Sequence, residues 1–403
     1  MRIGIDARMW GKGYGIGRYI EQLVLHLLTI DTSNTYVLFV RLEQKAVIEQ
    51  EISQHASMDR IRLIVADVPW YSWKEQLVLP RIFNKTPVDL MHFPHWNVSF
   101  LYRKPFVVTI HDLTMFHYAR PEATTRGKIV YFIKDKIHRR LITRVVHRAR
   151  ALLVTSEFTK QDIHNTLGVP LDNMVVTYQA PFFQANKNTK EQESLEHTEH
   201  TKLHVPDWQE LFDRFGINGW FALYVGAAYP HKYLSGLLKA WKRFEERYGK
   251  SQYQLVLVGK QNAFYDPLLE SDDMKACKQV VYTGFLSDEE LATMYRQASL
   301  FVFPSLYEGF GLTPLDAMAH GVPVVSSDRS CMPEVLGDAA LFVDPENSEQ
   351  FVDALYVGFT DDDIRRELVA NSKEVLRQYS WKKLAEETLM VYEKQGRSSG
   401  HKG

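Results

Sequence analysis

Short apolar runs recur along this chain, and each is followed by a longer stretch in which apolar positions return every third or fourth residue. The runs predict strands at 2–7, 36–41, 61–66, 89–93, 106–111, 151–155 and 174–178. The longer stretches predict helices at 16–29, 73–84, 127–148 and 157–167. Beyond 207 the scheme repeats, with strands at 221–225, 254–258, 280–282, 300–304 and 322–326, each leading into a helix-compatible segment. Such alternation predicts an α/β protein with two Rossmann-like parallel-sheet domains. Residues 184–206, polar and nearly free of large apolar side chains, interrupt the pattern and read as a linker or surface insertion. The expected division is 1–183, the linker 184–206, a second domain 207–380, and 381–403 as an amphipathic helix plus tail. Open sheets of this kind bind ligands at the carboxyl ends of their strands, which places the expected site in a cleft faced by both domains.

Composition narrows the class. A chain of 403 residues that is 45% hydrophobic has material for two cores, and its formal net charge of -1 gives no global field to attract nucleic acid. Cys277 and Cys331 are the only cysteines, too few for a disulfide framework or a cysteine-rich metal site, which fits a reducing compartment. Arg2, Asp6 and Arg8 interrupt the start where a signal peptide needs an apolar run. The expected location is cytoplasmic.

The most informative chemistry lies in 301–325, FVFPSLYEGFGLTPLDAMAHGVPVV. A buried strand is followed by a glycine-bearing loop and a short helix beginning at Leu312. Gly309 and Gly311 let backbone approach a ligand, and the amides from Gly309 through Phe310 and Leu312 form an anion site suited to a diphosphate. Glu308 and Asp316 flank this cradle. Carboxylates repel phosphate, so they are better suited to accept hydrogen bonds from hydroxyls on either side of a diphosphate, as in a nucleotide sugar. A second strand, loop and helix at 224–241 places Gly226, His231 and Lys232 at a helix start, where Lys232 neutralises phosphate. His111 ends the strand at 106–111, a position where open sheets display functional groups. His92 and His95 lack a third ligand for a metal and are expected to line the acceptor side. Glycines at 11, 13, 15 and 17 miss the G-x-G-x-x-G spacing of a dinucleotide fingerprint and read as a flexible turn.

These motifs resemble the donor signature of retaining glycosyltransferases of family 4, which have the GT-B fold. Their pattern is Glu, seven residues, Glu; here Glu308 matches the first acid, and Asp316 stands where the family has Glu, shorter by roughly 1.5 Å. The resemblance covers most of the chain. It implies that Glu308 contacts donor-sugar hydroxyls and Asp316 the ribose, that His111 of the intact His111-Asp112-Leu113 string sits beside the donor sugar, and that the loop with Gly15 and Gly17 touches donor phosphate or acceptor. It also implies an acceptor on the first domain, the nucleotide on the second, and a last helix that crosses back onto the first. Ala227 departs from the Arg or Thr usual after Gly226, and His231-Lys232 replaces Arg-Lys.

The expected activity is transfer of a hexose to a hydroxyl of a glycan or lipid-linked acceptor with retention, catalysed through His111, Glu308 and Lys232, with no cofactor and no metal. The string HDLTMFHYARPE resembles bacterial polysaccharide mannosyltransferases, which implies mannose from GDP-mannose. Two other readings fit the same residues: a catalytically silent nucleotide-sugar-binding subunit, which Asp316 and Ala227 favour, and another GT-B nucleotide-sugar enzyme such as an epimerase or phosphorylase.

One further segment stands apart. Residues 126–150 carry nine Lys or Arg against one acid, Asp135, while Ile129, Phe132, Ile133, Ile137, Leu141, Ile142 and Val145 recur at helical spacing. The expectation is a helix that packs this stripe inward and turns its cations to solvent. Each basic residue near an anionic membrane surface contributes about 1 kcal/mol, so peripheral contact with the inner face of the membrane is a second expectation.

Overall fold

The computed structural model describes residues 1–11, 15–70, 72–118, 128–183, 208–249 and 252–397. The linker 184–206 lies outside the described residues, as do the middle of the glycine cluster, the first residues of the basic segment and the tail from 398. The chain divides into two compact units, one of 1–117, 126–179 and 379–403, the other of 118–125 and 180–378.

The first unit holds a seven-stranded parallel sheet of β1 (Arg2–Asp6), β2 (Thr35–Val40), β3 (Ile61–Val65), β4 (Leu90–Phe93), β5 (Phe106–Ile110), β6 (Leu152–Val154) and β7 (Met174–Val176), in the order 3-2-1-4-5-6-7. The second holds six parallel strands, β8 (Trp220–Val225), β9 (Tyr253–Val258), β10 (Val280–Gly284), β11 (Leu300–Phe303), β12 (Val324–Ser327) and β13 (Ala340–Val343), in the order 10-9-8-11-12-13. Strands such as β5 and β9 are buried at every residue. Helices cover both faces of such sheets, which is why these strands read as continuous apolar runs rather than alternating ones.

Each sheet reverses its winding once, beside its first strand: between β1 and β4, and between β8 and β11. Connections leave these neighbouring strands in opposite directions and open a crevice at their carboxyl ends. The loops that carry the sequence motifs start there. In the second unit Leu300 pairs with Ala222 and Phe301 with Leu223, so the loops after β8 and β11 emerge side by side.

Several elements differ from expectation. The helix expected at 73–84 is two pieces, Trp73–Leu77 and Leu79–Lys85, because Pro80 takes the first turn of the second piece, where its missing N–H costs nothing. The helix Lys45–Ser53 escaped notice since only Ile48 and Ile52 give it a buried side. Strand β13, which pairs with β12, was not expected. The last helix, Trp381–Arg397, lies in the first unit and packs on the helix Ile16–Ile30.

Candidate functional site

In the second unit, the backbone after β8 turns through Gly226, at φ 158°, where a side chain would strike the Tyr224 hydroxyl. The Gly226 carbonyl accepts from the Tyr265 hydroxyl at 2.8 Å and its amide donates to Val258 at 2.9 Å, so the turn is fixed by the neighbouring strand. Residues Pro230–Lys232 form one turn of 3-10 helix and lead into the helix Leu234–Tyr248. The His231 carbonyl accepts from the Leu306 amide at 2.7 Å, which stitches this loop to the one following β11. His231 itself is buried beside Tyr229.

That stitch brings Lys232 onto Glu308, with Nζ 2.5 Å from Oε1. Both side chains are mostly buried, at 18% and 12% exposure, and Lys232 also lies over the Phe303 ring. Glu308 is held at its backbone: its amide donates to Ser330 Oγ at 3.0 Å and its carbonyl accepts from Cys331 Sγ at 3.3 Å. Burial raises the Cys331 thiol well above its ordinary pKa, so it stays protonated as that donor.

After Glu308 the loop passes Gly309 and Phe310 to Gly311, which is left-handed at φ 89°. A Cβ there would collide with Met332, and glycine alone relieves both constraints. Gly311 starts the helix Leu312–Ala319, whose N-terminus no side chain caps. The amide dipoles at this end favour an anion. Inside the helix, Asp316 is 6% exposed and turns one oxygen, Oδ1, to the amides of Phe182 and Phe183 at 2.6 and 3.2 Å.

In the first unit, His111 follows β5. Its Nε2–H donates to the Pro94 carbonyl at 2.9 Å, which leaves Nδ1 to accept from Gln179 Nε2 at 3.1 Å. Burial lowers its pKa, with Pro94 and Asp112 acting in the opposite direction, and the ring is neutral. Tyr19 packs edge-on against it at 4.7 Å. His95 is also neutral, pushed down to about 3 chiefly by burial, and lies 3.0 Å from Asn97 through Nδ1. With Asp6 and Arg8 these two residues line a small pocket at the carboxyl ends of β1 and β4. Arg8 is fully buried there, held by Asp6 at 2.8 Å and by Glu75 at 3.0 Å.

Two sequence profiles match this chain: "Glycosyl transferases group 1" over residues 209–375 and "Glycosyltransferase Family 4" over 14–180. The chain belongs to the GT-B glycosyltransferases. Among its relatives, the Escherichia coli O-antigen chain mannosyltransferase B is 29% identical over 287 residues, 71% of this chain and 69% of the relative. The O-antigen chain mannosyltransferase RfbU of Salmonella typhimurium is 26% identical over 336 residues, 79% and 82% of the two chains. The Anabaena protein HepE, solved in complex with UDP and glucose, shares the fold at a TM-score of 0.69 and 15% identity, over 98% of this chain and all of its own.

Of the residues that sequence singled out in this glycosyltransferase, the fold joins Gly226, His231, Lys232, Glu308 and the turn from Gly309 through Phe310 to Gly311 and Leu312 at one winding reversal. Asp316 lies one turn further along the same helix. His111, Gly15 and Gly17 belong to the first unit. Gly15, at φ 82°, starts the helix Ile16–Ile30, and Gly17 has no room for a Cβ, which would come within 2.8 Å of the Gly11 and Met9 carbonyls. His92 is not on the acceptor side. It is wholly buried, its Nδ1 2.6 Å from the Tyr392 hydroxyl and its Nε2 2.8 Å from Thr109 Oγ1, because β4 is a central strand covered by the last helix. Sequence reasoning passed over Ser330, whose φ of 53° marks it as a placed residue, and the Tyr224 and Tyr265 hydroxyls that shape the Gly226 turn. Among the described residues no group of three or more His, Cys, Asp or Glu is placed to hold a metal ion, and no helix is long and apolar enough to cross a membrane.

Proposed function

We propose that this enzyme transfers mannose from GDP-mannose to a hydroxyl of a glycan or lipid-linked acceptor, with retention at the anomeric carbon. The observation that carries the reading is the Lys232–Glu308 pair beside the uncapped start of the helix Leu312–Ala319. A cation and a helix end suit the diphosphate, and the adjoining carboxylate suits the hydroxyls of the sugar attached to it. When the donor binds, Lys232 exchanges Glu308 for phosphate, and Glu308 turns to the sugar. As the glycosidic bond breaks, Lys232 and the amides of the 309–312 turn stabilise the charge growing on the leaving diphosphate. Asp316 serves the ribose.

His111 orients the transferred sugar as a neutral ring, accepting a sugar hydroxyl at Nδ1 in place of Gln179. The pocket of His95 and Asn97 receives the acceptor hydroxyl. With its Nδ1–H given to Asn97 Oδ1, His95 presents Nε2 as a hydrogen-bond acceptor that orients that hydroxyl, whose proton passes to the leaving diphosphate as the new glycosidic bond forms. The names of the Escherichia coli and Salmonella relatives support mannose, and the nucleotide and sugar bound to HepE support a nucleoside diphosphate sugar.

A thermal-shift screen of nucleotide sugars tests the reading. GDP-mannose at a hundred times its dissociation constant should add about 2.7 kcal/mol of stability. Stabilisation by UDP-glucose alone would replace the donor, and stabilisation by no nucleotide sugar would overturn the reading.

A further inference from the structure

Four polar side chains of the first unit lie in series inside its core. Tyr392 of the last helix, His92 on β4, Thr109 on β5 and Tyr19 on the helix Ile16–Ile30 are each at most 1% exposed. The Tyr392 hydroxyl is 2.6 Å from His92 Nδ1, His92 Nε2 is 2.8 Å from Thr109 Oγ1, and Thr109 Oγ1 is 3.0 Å from the Tyr19 hydroxyl. The Tyr19 ring then meets the His111 ring at 4.7 Å and an interplanar angle of 87°.

Each of these groups loses its hydration on burial, and a hydrogen bond between neutral partners returns only about 1 kcal/mol net. Apolar side chains would fill the same central strands with less loss. What the polar series adds is direction. His92 is neutral, lowered to about 3 mainly by burial. A neutral imidazole donates at one nitrogen and accepts at the other, so its bonds to Tyr392 and Thr109 run in one sense and neither reverses alone.

His111 has a use for such direction. Pro94 and Gln179 hold its two nitrogens at 2.9 and 3.1 Å. In the proposed reaction a sugar hydroxyl replaces Gln179, and the bond to Pro94 then fixes one atom while the ring plane can turn about it. The Tyr19 ring is a wall against that turning, and its own swing is stopped where its hydroxyl meets Thr109. We infer that Tyr392, His92, Thr109 and Tyr19 are positioning residues that hold the His111 ring in the plane required by the donor sugar. The inference rests on the proposed role of His111, and it makes the last helix a support of that residue as well as a cover for the sheet.

Three substitutions in the full chain test it. Thr109→Val keeps the shape and removes the hydroxyl, Thr109→Ser keeps the hydroxyl, and Tyr392→Phe removes the oxygen at the far end. In nitrogen-15 spectra of histidine-labelled protein, the His111 ring signals are assigned by their loss in His111→Gln. They should move in Thr109→Val and Tyr392→Phe and stay in place in Thr109→Ser. With GDP-mannose, kcat should fall about fivefold in either broken variant, with KM within about twofold, and Thr109→Ser should turn over at the original rate. The variant carrying both Thr109→Val and Tyr392→Phe should lose about fivefold and no more, because one break already opens the series; independent packing defects would multiply to about twenty-fivefold. That multiplication would overturn the inference, as would His111 signals unmoved by Tyr392→Phe. Should circular dichroism show that Thr109→Val does not fold, Tyr392→Phe decides by the same signals. If His111→Gln itself leaves kcat unchanged, the assignment of His111 to the donor sugar falls, while the ring signals still decide whether the series holds it.

Discussion

Lys232 and Glu308, 76 positions apart, meet at 2.5 Å where the loops after β8 and β11 leave the sheet side by side. Each is the other's counter-charge in a mostly buried setting, so a ligand that takes either one releases the other.

Glu308→Gln should separate chemistry from nucleotide binding. The amide keeps the size but gives weaker acceptance of sugar hydroxyls, and kcat should fall at least about tenfold, equivalent to about 1.4 kcal/mol. Lys232 then faces a neutral partner, and affinity for GDP should hold or rise. Calorimetry alongside turnover checks both, and unchanged kcat would remove Glu308 from the reaction.

Lys232→Ala should act through phosphate. Loss of a charge-assisted hydrogen bond costs about 2 kcal/mol, some thirtyfold in the dissociation constant for GDP, while guanosine should bind nearly as before. Equal losses for GDP and guanosine would indicate damage to the fold rather than to a phosphate contact.

Asp316 has a structural duty beside its proposed one. Asp316→Asn leaves an oxygen for the Phe182 and Phe183 amides, whereas Asp316→Ala removes it. The Asn variant should keep its unfolding temperature yet bind GDP more weakly, with 2'-deoxy-GDP less affected. The Ala variant should lose about 1–3 kcal/mol of stability as well, from two buried amides left unpaired. If the Asn variant binds GDP normally, Asp316 serves the fold alone.

Acid should destabilise the first unit before its carboxylates titrate. His92 and His95 are both held down to about 3, mainly by burial, while the unfolded chain binds these protons near 6.5. Above that pH both states are neutral and the stability is fully present; as pH falls through 6.5 toward 3 the unfolded state takes up protons and stability is lost. At pH 5 the loss is about 2 kcal/mol for each residue. Thermal unfolding between pH 7 and 5 should show it, and His92→Gln should reduce the slope. A flat unfolding temperature would contradict neutral, buried rings.

Chelation should leave activity intact. In the proposed reaction Lys232 and the helix start supply the positive field that a divalent ion supplies elsewhere, so EDTA-treated enzyme should turn over at its original rate. Collapse restored by magnesium or manganese would overturn that assignment.

The class of fold was legible because parallel strands buried on both faces read as apolar runs, as β5 and β9 do, and twelve of the thirteen strands fall where such runs were expected. The donor turn was legible for a similar local reason. Gly311 is required by its own φ and by Met332, and the acids stand at fixed offsets from it. Pairings over long separations were not. Nothing near His92 in sequence indicates that Tyr392, 300 positions away, supplies its partner. The basic helix shows the limit most directly. Its periodicity fixed a helix, but its apolar residues encircle enough of it that either side could have faced inward. The choice fell to the sheet and the neighbouring helices, which accommodate Ile142, Val145 and Val146 and leave Phe132, Ile133 and Ile137 outside. Local sequence sets which conformation a segment adopts; which of its faces is buried depends on the shape of what it packs against.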